Sequence, residues 1–567
     1  MVARTRSIRL AVLTATLTVV VACERRASEP TPEPAAPLFT EIAAVSGIDF
    51  VHRNGAKGEF FLPELMHAGA AFVDVDNDSF LDVYLIQGGA LPPDLGGDSG
   101  RNRLFLNRRD GTFVDATAAS GLGDPGYGTG VAVADFDRDG WVDVYVTNWG
   151  ANSLYRNRGD GTFEDVTATA GVGDPGYSAA AVFFDYDGDG DLDLYVANYV
   201  DWSPGVERPC FGLSGIRGYC APDVYERPQR DTLYRNNSDL TFTDVSVAAG
   251  IHTRKATGLG VVAADFDRDG RQDVYVANDG MANQLWINRG DGTLADEALL
   301  RGAAVNLMGQ AEAGMGVVVG DLDANGFWDL FVAHLGGETN TFYANDGGLF
   351  TDRTDRLGLG AVSRAYTGFG TALFDYDCDG HKDLFIANGR VRLGDSLTVD
   401  SYAEPNQLLR GRADGGFEDV SARAGPGFGL LEVSRGAAVG DYDNDGDLDL
   451  LVGNNNAPAR LFRNEATTCG GSLRVSPVAI GADRDSIGAE VVAEIAGRRR
   501  HELVSPASSY GSSIDPRVHV ALAEGQTVDR LIVTFPSGAV RTLSDVPGGS
   551  TLRVRELDDG SPAGAGQ

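Results

Sequence analysis

Positive charge is scarce in this sequence, in which 47 lysine and arginine residues stand against 81 aspartate and glutamate residues, for a formal net charge of −34. A chain this acidic repels nucleic acid and anionic membrane surfaces, so neither is expected as a partner. Catalytic signatures are also scarce, since neither HExxH nor G-x-S-x-G occurs and the seven histidines are scattered. A lone histidine is more often structural than catalytic, and the sequence therefore favours a binding protein over an enzyme.

Long apolar runs are absent except at the N-terminus. A basic segment, 4–9, precedes the apolar residues 10–22, which are too few for a comfortable transmembrane span and are typical of an export signal. The run ends Val-Val-Ala-Cys, which resembles a bacterial lipobox and implies cleavage after residue 22 and lipidation of Cys23. An ordinary signal peptide with an incidental cysteine is the alternative. The Pro- and Glu-rich residues 23–37 are expected to form an extended tether.

One pattern occurs seven times along the chain: a strand of small residues, an acidic loop and a second strand, as in AAAVFFDYDGDGDLDLYV. A third strand such as NSLYRN follows each copy, and a fourth of the form F-x-D-V-T follows most of them. Four short strands in a unit of about sixty residues indicate a β-propeller. The first strands are rich in glycine and alanine, which suits the crowded centre of such a fold.

These repeats predict an all-β protein with a seven-bladed β-propeller over residues 38–466. The seventh repeat lacks its fourth strand, and FTEIA at 39–43 matches that strand. We expect this N-terminal strand to complete the last blade, which would leave no free sheet edge. The third repeat contains an insertion, 200–230. There Cys210 and Cys220 enclose nine residues, a spacing that predicts a disulfide in an exported protein.

Four further residues have roles that the sequence leaves open. Cys378 and Cys469 could pair with each other, but no pattern requires it. His67 and Arg435 lie just before first strands, which would place them at the mouth of the propeller axis.

Each acidic loop offers side-chain oxygens at positions 1, 3, 5 and 9. Alternating positions in a tight loop point inward, and Ca²⁺ takes about six to eight oxygen ligands, whereas Mg²⁺ prefers few protein ligands and several waters. An EF-hand is excluded because its glutamate at position 12 is replaced by Val146 in the second loop. The sequence therefore predicts up to seven Ca²⁺ ions. The predicted ligands are Asp74, Asp76, Asp78 and Asp82; Asp135, Asp137, Asp139 and Asp143; Asp185, Asp187, Asp189 and Asp193; Asp265, Asp267, Asp269 and Asp273; Asp321, Asp323, Asn325 and Asp329; Asp375, Asp377, Asp379 and Asp383; and Asp441, Asp443, Asp445 and Asp449.

Two loops depart from the pattern. Ser79 replaces the glycine that permits a sharp turn at position 6 of the first loop, and Asn325 removes one charge from the fifth. Either loop is expected to bind Ca²⁺ more weakly. Polar turns without a metal are the alternative, but they would leave the repulsion among the carboxylates without an offset.

The loops and their strands resemble FG-GAP/VCBS repeats, the calcium-bearing blades of integrin α-like propellers. Segments such as VDRLIVTFPSGAVRTL make residues 470–556 resemble an ASPIC/UnbV domain, here a separate small β domain before a flexible tail, 557–567. With the insertion CFGLSGIRGYC, the chain resembles the cartilage acidic protein family and its bacterial relatives. One departure is the run VALA at 520–523, where that family tends to have a Phe-Gly-Leu-Gly-like run. The resemblance implies calcium binding and adhesion outside the cytoplasm.

The favoured function is a calcium-dependent binding or adhesion module of the bacterial envelope. Its partner would be a protein or glycan, docked on the rim opposite the calcium loops or on the insertion 200–230. The membrane would be contacted only through the lipid anchor, with the protein held in the outer membrane and facing the periplasm or the surface. The alternatives are a hydrolase or lyase acting on envelope polysaccharide, or a scaffold subunit of an envelope complex.

Overall fold

The computed structural model describes residues 36–91, 100–212, 215–392, 402–466, 468–469, 471–481 and 484–556. The predicted signal peptide, Cys23, most of the tether and the tail lie outside these residues. Among the described residues, no helix combines the length and the apolar character needed to cross a membrane. The predicted all-β class is confirmed, because short strands make up nearly all of the regular structure.

Seven sheets that share a core of four antiparallel strands, numbered 1 to 7 along the chain, make up the larger part of the described chain, and two short strands from the C-terminal part extend the first of them to six strands. The strand β1 (Phe39–Glu41) precedes them. Sheet 1 contains β2 (Ala70–Val73), β3 (Asp82–Leu85), β4 (Arg103–Asn107) and β5 (Phe113–Asp115). Sheet 2 contains β6 (Tyr127–Ala134), β7 (Asp143–Trp149), β8 (Ser153–Asn157) and β9 (Phe163–Asp165). Sheet 3 follows with β10 (Ser178–Phe184), β11 (Asp193–Asn198), an inserted hairpin of β12 (Cys210–Phe211) and β13 (Arg217–Gly218), then β14 (Thr232–Asn236) and β15 (Phe242–Asp244).

The remaining sheets repeat the same order. Sheet 4 contains β16 (Gly258–Ala264), β17 (Asp273–Asn278), β18 (Gln284–Asn288) and β19 (Leu294–Asp296). Sheet 5 contains β20 (Val317–Gly320), β21 (Asp329–Val332), β22 (Thr341–Asp346) and β23 (Leu349–Asp352). Sheet 6 contains β24 (Gly368–Phe374), β25 (Asp383–Asn388), β26 (Gln407–Gly411) and β27 (Phe417–Asp419). Sheet 7 contains β28 (Ser434–Gly440), β29 (Asp449–Asn454) and β30 (Arg460–Asn464), with β1 as its fourth strand.

Short helices occur in the connections between these strands. The α-helices are α1 (Thr117–Ser120), α2 (Thr167–Ala170), α3 (Ala298–Arg301), α4 (Leu359–Ser363) and α5 (Ser421–Ala424). The 3-10 helices are Leu62–Leu65, Pro204–Val206, Pro222–Tyr225, Ile251–Thr253 and Pro426–Gly429.

Successive sheets pack face to face through apolar side chains that alternate along their strands. A hydrophobic cluster joins each sheet to the next, and a further cluster joins sheet 7 to sheet 1. In that last cluster the rings of Phe113 and Tyr442 lie 5.7 Å apart. The strand β1 pairs antiparallel with β30, with Phe39 opposite Asn464. Backbone hydrogen bonds therefore tie the start of the described chain to the last of the seven sheets.

The C-terminal part, 473–555, forms two further sheets around its own apolar core. Its strands are β31 (Leu473–Val478), β32 (Glu490–Ile495), β33 (Arg498–Leu503), β34 (Ala507–Ser508), β35 (Ser512–Ser513), β36 (Val518–Val520), β37 (Thr527–Thr534), β38 (Val540–Pro547) and β39 (Ser550–Arg555). One sheet has the order β36-β31-β39 and the other β33-β32-β37-β38. We call these two sheets the C-terminal module.

The strands β34 and β35 leave the C-terminal module and enter the ring of sheets. We call residues 507–514 the axial segment. Ala71 of sheet 1 pairs with Ser513, and Val317 of sheet 5 exchanges two backbone hydrogen bonds with Ser509. Val131 of sheet 2 donates its backbone N–H to Gly511. Because inner strands on several sides contact it, the axial segment lies along the centre of the ring.

The axial segment lies so close to the inner strands that some positions in these strands have room only for glycine. A Cβ added at Gly130 would lie 2.8 Å from the Cα of Gly511 and 2.9 Å from the carbonyl oxygen of Ala179. The one aromatic side chain of the segment, Tyr510, is fully buried, and its ring lies 4.9 Å from that of Phe369. Tyr510 therefore fills the space that the small inner residues leave open.

Replacing Tyr510 with alanine is expected to lower the free energy of unfolding by about 3 kcal/mol, because the buried ring would leave a cavity among the inner strands. Equilibrium unfolding in urea would measure the loss. Tyr510→Phe keeps the ring and should cost less than about 1 kcal/mol, and Val540→Ala on an exposed strand should change nothing. A Tyr510→Ala variant as stable as the parent would show that the axial segment does not support the ring.

Candidate metal centres

The seven acidic loops all lie at one rim of the ring, because each connects the first strand of a sheet to the second. The aspartate at position 9 is in every case the first residue of the second strand. These residues are Asp82, Asp143, Asp193, Asp273, Asp329, Asp383 and Asp449. We call this side of the ring the acidic rim.

Backbone hydrogen bonds hold the position-9 aspartate in one orientation. In loop 2, one oxygen of Asp143 accepts the backbone N–H of Asn157 at 2.8 Å and the other accepts that of Phe136 at 3.1 Å. The same pair of bonds recurs in the other six loops. The side-chain amide of Asn157 also donates to the carbonyl of Val75 in loop 1. Neighbouring loops are thus connected through asparagines of the third strands.

The position-1 aspartate is the residue around which each loop turns. Asp135 accepts backbone N–H groups from Asp139 at 3.1 Å and from Gly140 at 2.9 Å. Position 6 has a positive φ, which is +90° at Gly140 and +73° at Ser79. A serine is more strained than a glycine in this left-handed backbone conformation. The departure noted at Ser79 therefore changes the residue but not the backbone path.

The loops bring carboxylate oxygens within 4.8 Å of one another. Five of these sets are Asp74, Asp76 and Asp82; Asp135, Asp137 and Asp143; Asp185, Asp187 and Asp193; Asp265, Asp267 and Asp269; and Asp321, Asp323 and Asp329. In four of the five sets, positions 1, 3 and 9 meet as the sequence pattern predicts. In loop 4 the set contains position 5, Asp269, in place of Asp273.

Burial raises the pKa values of the position-1 and position-9 carboxylates above the ordinary range of aspartate. Desolvation raises the pKa of Asp193 and of Asp273 to about 8 and that of Asp383 to about 9, although backbone hydrogen bonds oppose the shift. The pKa of Asp441 is raised to about 7 for the same reason, with the charges of its neighbouring aspartates adding to the effect. Ionised carboxylates in these positions need a positive charge nearby.

Several buried oxygens in the loops have no hydrogen-bond partner. Among the described residues, these oxygens belong to Asp267, Asp377, Asp441 and Asp443 at position 1 or 3, and to Asp447 at position 7 of loop 7. A buried acceptor without a donor is unfavourable and calls for water or an ion. All the potential ligand atoms in these sets are carboxylate oxygens, which are hard ligands of the kind that Ca²⁺ prefers. The residues present therefore fit the predicted calcium ions, and Asp74, Asp135 and their counterparts at positions 3 and 9 would hold them.

Arginines supply part of the positive charge at the acidic rim. Arg156 forms ion pairs with Asp137 and Asp139, and Arg410 binds the corresponding Asp377 and Asp379. These arginines lie at equivalent places in third strands and contact positions 3 and 5 of the loops. Position 9 is instead bound by backbone N–H groups, and no described arginine or lysine forms an ion pair with it.

The C-terminal module covers the acidic rim. His519 lies 3.0 Å from the carbonyl oxygen of Gly446 in loop 7, and Lys382 beside loop 6 forms an ion pair of 2.6 Å with Glu502. A disulfide between Cys378 and Cys469 attaches loop 6 to the chain that leads into the module. The sequence left this pairing open, because the two cysteines are 91 residues apart.

The opposite rim carries the insertion, since the insertion connects the second strand of sheet 3 to the third. The predicted disulfide between Cys210 and Cys220 is confirmed. Trp202 packs against Trp149 with ring centroids 5.2 Å apart, which seats the insertion on sheet 2. The hairpin that the disulfide closes exposes Phe211, whose accessible fraction is 63%.

The axis is filled with buried polar side chains near this opposite rim. His67 and Arg435 do lie there, and His67 is 2.7 Å from the hydroxyl of Tyr177. Arg435 lies over the ring of Phe369 at 3.8 Å and donates to the carbonyl of Leu65 at 2.8 Å. Burial and the charge of Arg435 lower the pKa of His67 well below its usual value, so this histidine is a neutral packing residue.

Sequence reasoning missed the axial segment and the arginines that contact the loops. Nothing in the run SSYGSSI shows that it pairs with strands some 440 residues earlier, as Ser513 does with Ala71. A signal was available for the arginines, because Arg156 and Arg410 recur at the same place in the third-strand pattern. That signal could have indicated that the loops have partial counterions.

Comparison with known proteins gives two family matches. A model described as FG-GAP-like repeat matches residues 74–146, 135–196, 220–276, 265–332, 321–386 and 394–452. A model described as ASPIC and UnbV matches residues 480–561. The two matches together cover both the ring of sheets and the C-terminal module.

Individual proteins match over smaller shares of their length. Cartilage acidic protein 1 of Homo sapiens is 32% identical over 275 residues, covering 44% of this chain and 38% of that protein. The Mus musculus protein of the same name is 25% identical over 373 residues, covering 54% and 56%. The chain thus spans less than two thirds of the length of either relative. A solved Agrocybe aegerita lectin that recognises non-reducing terminal N-acetylglucosamine aligns with 69% of this chain and 86% of its own, at 16% identity and a TM-score of 0.36, which is too low to support any argument.

Replacing Asp443 with asparagine is expected to change stability in opposite directions with and without calcium. In chelator the variant removes a buried charge that repels its neighbours, and the melting temperature should rise by about 1–3 °C. In calcium it removes a ligand, and the melting temperature should fall relative to the parent. Thermal unfolding under both conditions would measure this, with Asp346→Asn, an exposed aspartate outside the loops, as the control. A shift of the same sign in both conditions would contradict a metal site at Asp443.

Proposed function

Because this chain belongs to the family of FG-GAP-like repeat proteins and ends in an ASPIC/UnbV module, we propose that it is a calcium-binding protein of the cell envelope that captures a protein or glycan ligand. The observation that carries the proposal is the sevenfold recurrence of inward-facing carboxylates at one rim. Calcium would neutralise these carboxylates and hold the acidic rim rigid. The ligand would dock on the opposite rim, which presents the insertion.

Repetition of the loop geometry supports the calcium component. A single acidic turn can be stable without a metal, since hydrogen bonds and arginines can satisfy its oxygens. Here the same backbone bonds orient position 9 in seven loops, while buried oxygens such as those of Asp267 and Asp443 have no donor. Weak sites with dissociation constants of about 10⁻⁴–10⁻³ M are sufficient outside the cytoplasm. All seven predicted ions are part of this proposal.

Export and anchoring form the second component. Two disulfides occur in the described chain, and disulfides are typical of proteins that fold in an oxidising compartment. The apolar segment 10–22 and the lipobox-like sequence before Cys23 support export followed by lipid attachment. We therefore propose that residues 23–37 tether the folded part to the outer membrane. The enzyme and scaffold alternatives gain no specific support from the described residues.

The binding component rests on the division of the ring into a covered and a less covered rim. The C-terminal module occupies the acidic rim, so a large partner has better access to the other side. There the disulfide-closed hairpin presents Phe211 and Ile216, with accessible fractions of 63% and 58%. Loops held on a rigid scaffold are common binding surfaces.

Removal of calcium is expected to destabilise the mature protein strongly. Titration calorimetry should give several moles of calcium per mole of protein and a much weaker response to magnesium. With free calcium at about 100 times a site's dissociation constant, each occupied site adds about 2.7 kcal/mol to the free energy of unfolding, and chelator should abolish this gain. The proposal fails if the melting temperature in chelator equals that in millimolar calcium.

Substitution at the exposed hairpin tests where the partner docks. Phe211→Ala combined with Ile216→Ala is expected to reduce capture of envelope proteins or glycans at least about tenfold, as for the loss of an interface anchor. The matched control is Leu349→Ala, which removes an equally exposed side chain from an outer strand of sheet 5. Capture would be compared in calcium and in chelator. Equal retention by both variants in calcium would place the binding surface elsewhere.

A further inference from the structure

A cleft of about 570 Å³ lies between the C-terminal module and the acidic loops of sheets 5, 6 and 7. Its volume lies within the range of about 300–1,000 Å³ that is common for small-molecule sites. Loop residues including Asp375 and Asp441 form one wall, and the strand β33 with Arg474 forms the other. The cleft therefore lies between the proposed calcium loops and the C-terminal module, and both contribute to its lining.

The charge of the cleft depends on the state of the loops. Its lining contains eight arginine and lysine side chains against seven aspartate and glutamate side chains. Four of those acids belong to positions 1 and 3 of the loops, namely Asp321, Asp323, Asp375 and Asp441. Ions held by the loops would offset these four charges, and the basic side chains would then outnumber the remaining acids by far.

Two arginines of the C-terminal module lie next to position-1 aspartates, while Arg474 also donates to Asn444 and Arg500 to the carbonyl oxygen of Ala521. Arg474 lies 3.2 Å from a carboxylate oxygen of Asp441, and Arg500 lies 3.8 Å from one of Asp375. Their side chains are mostly buried, with 16% and 21% of their area accessible. Both side chains point across the cleft to the loops.

We propose that this cleft binds a small ligand bearing a carboxylate or sulfate group, and that calcium in loops 6 and 7 opens it to that ligand. The inference rests on the proposed calcium binding. Calcium takes over the charges of Asp375 and Asp441, which releases Arg474 and Arg500 from their counterions. Guanidinium groups bind carboxylate or sulfate through charge-assisted hydrogen bonds that are about twice as strong as neutral ones. Without calcium, the loop carboxylates repel an anion and occupy the arginines.

The test uses the mature protein and three disaccharides of equal size, of which one is neutral, one carries a carboxylate and one a sulfate. Calorimetry in millimolar calcium should show both acidic sugars binding at least about tenfold tighter than the neutral one. In chelator this preference should disappear. The calcium content of each sample, measured by atomic emission, reports separately on the loops. Calcium uptake without any acidic preference overturns the cleft proposal alone, whereas absence of calcium uptake overturns the proposed function as well.

Variants of the two walls make the test specific. Arg474→Gln with Arg500→Gln should lose about tenfold in affinity for the acidic sugars while calcium content stays the same. Arg530→Gln, on the same module outside the cleft, should change nothing. Asp375→Asn with Asp441→Asn frees the arginines without an ion, and should give acidic preference even in chelator. Unchanged affinity in the arginine variant, or no gain in the aspartate variant, overturns the inference.

Discussion

The structure depends on how a large number of carboxylates is held together at one rim. Every sheet delivers a position-1 and a position-9 aspartate to the same side of the ring, and burial makes their charges costly. Backbone N–H groups and arginines such as Arg156 compensate part of the cost. Within the described part of the chain, one buried oxygen each of Asp441 and Asp443 remains without a donor. A divalent cation is the compensation that fits this arrangement, and it would make rim rigidity depend on the medium.

The two rims of the ring differ in how far the rest of the chain covers them. The C-terminal module covers the acidic rim, the disulfide of Cys378 attaches it there, and the axial segment extends from it into the centre. The module keeps its own apolar core, and the axial segment joins it to the ring by pairing β35 with sheet 1. The opposite rim carries the insertion and its exposed hairpin. Under the proposed function, this division would allow calcium to stabilise the scaffold while a partner approaches from the other side.

Loop charge also connects the ring with the module. Arg474 and Arg500 lie next to the residues that would bind calcium, so in the proposed mechanism a change in loop occupancy would reach the cleft directly. Such coupling would need no movement of the sheets, because exchange of counterions would be sufficient. It would also give the C-terminal module a role besides covering the rim.

The sequence by itself determined the all-β class, the sevenfold repeat, the acidic loops and the disulfide of Cys210 and Cys220. These features depend on local spacing: alternation sets strands, a loop of nine residues sets the spacing of its acidic side chains, and two nearby cysteines can only close a small ring. Only the tertiary structure decided the position of Tyr510 in the axis, the pairing of Cys378 with Cys469 and the contact of Arg474 with Asp441. Each of these joins residues far apart in the chain, and their meeting depends on how the sheets and the C-terminal module pack, which no local pattern encodes.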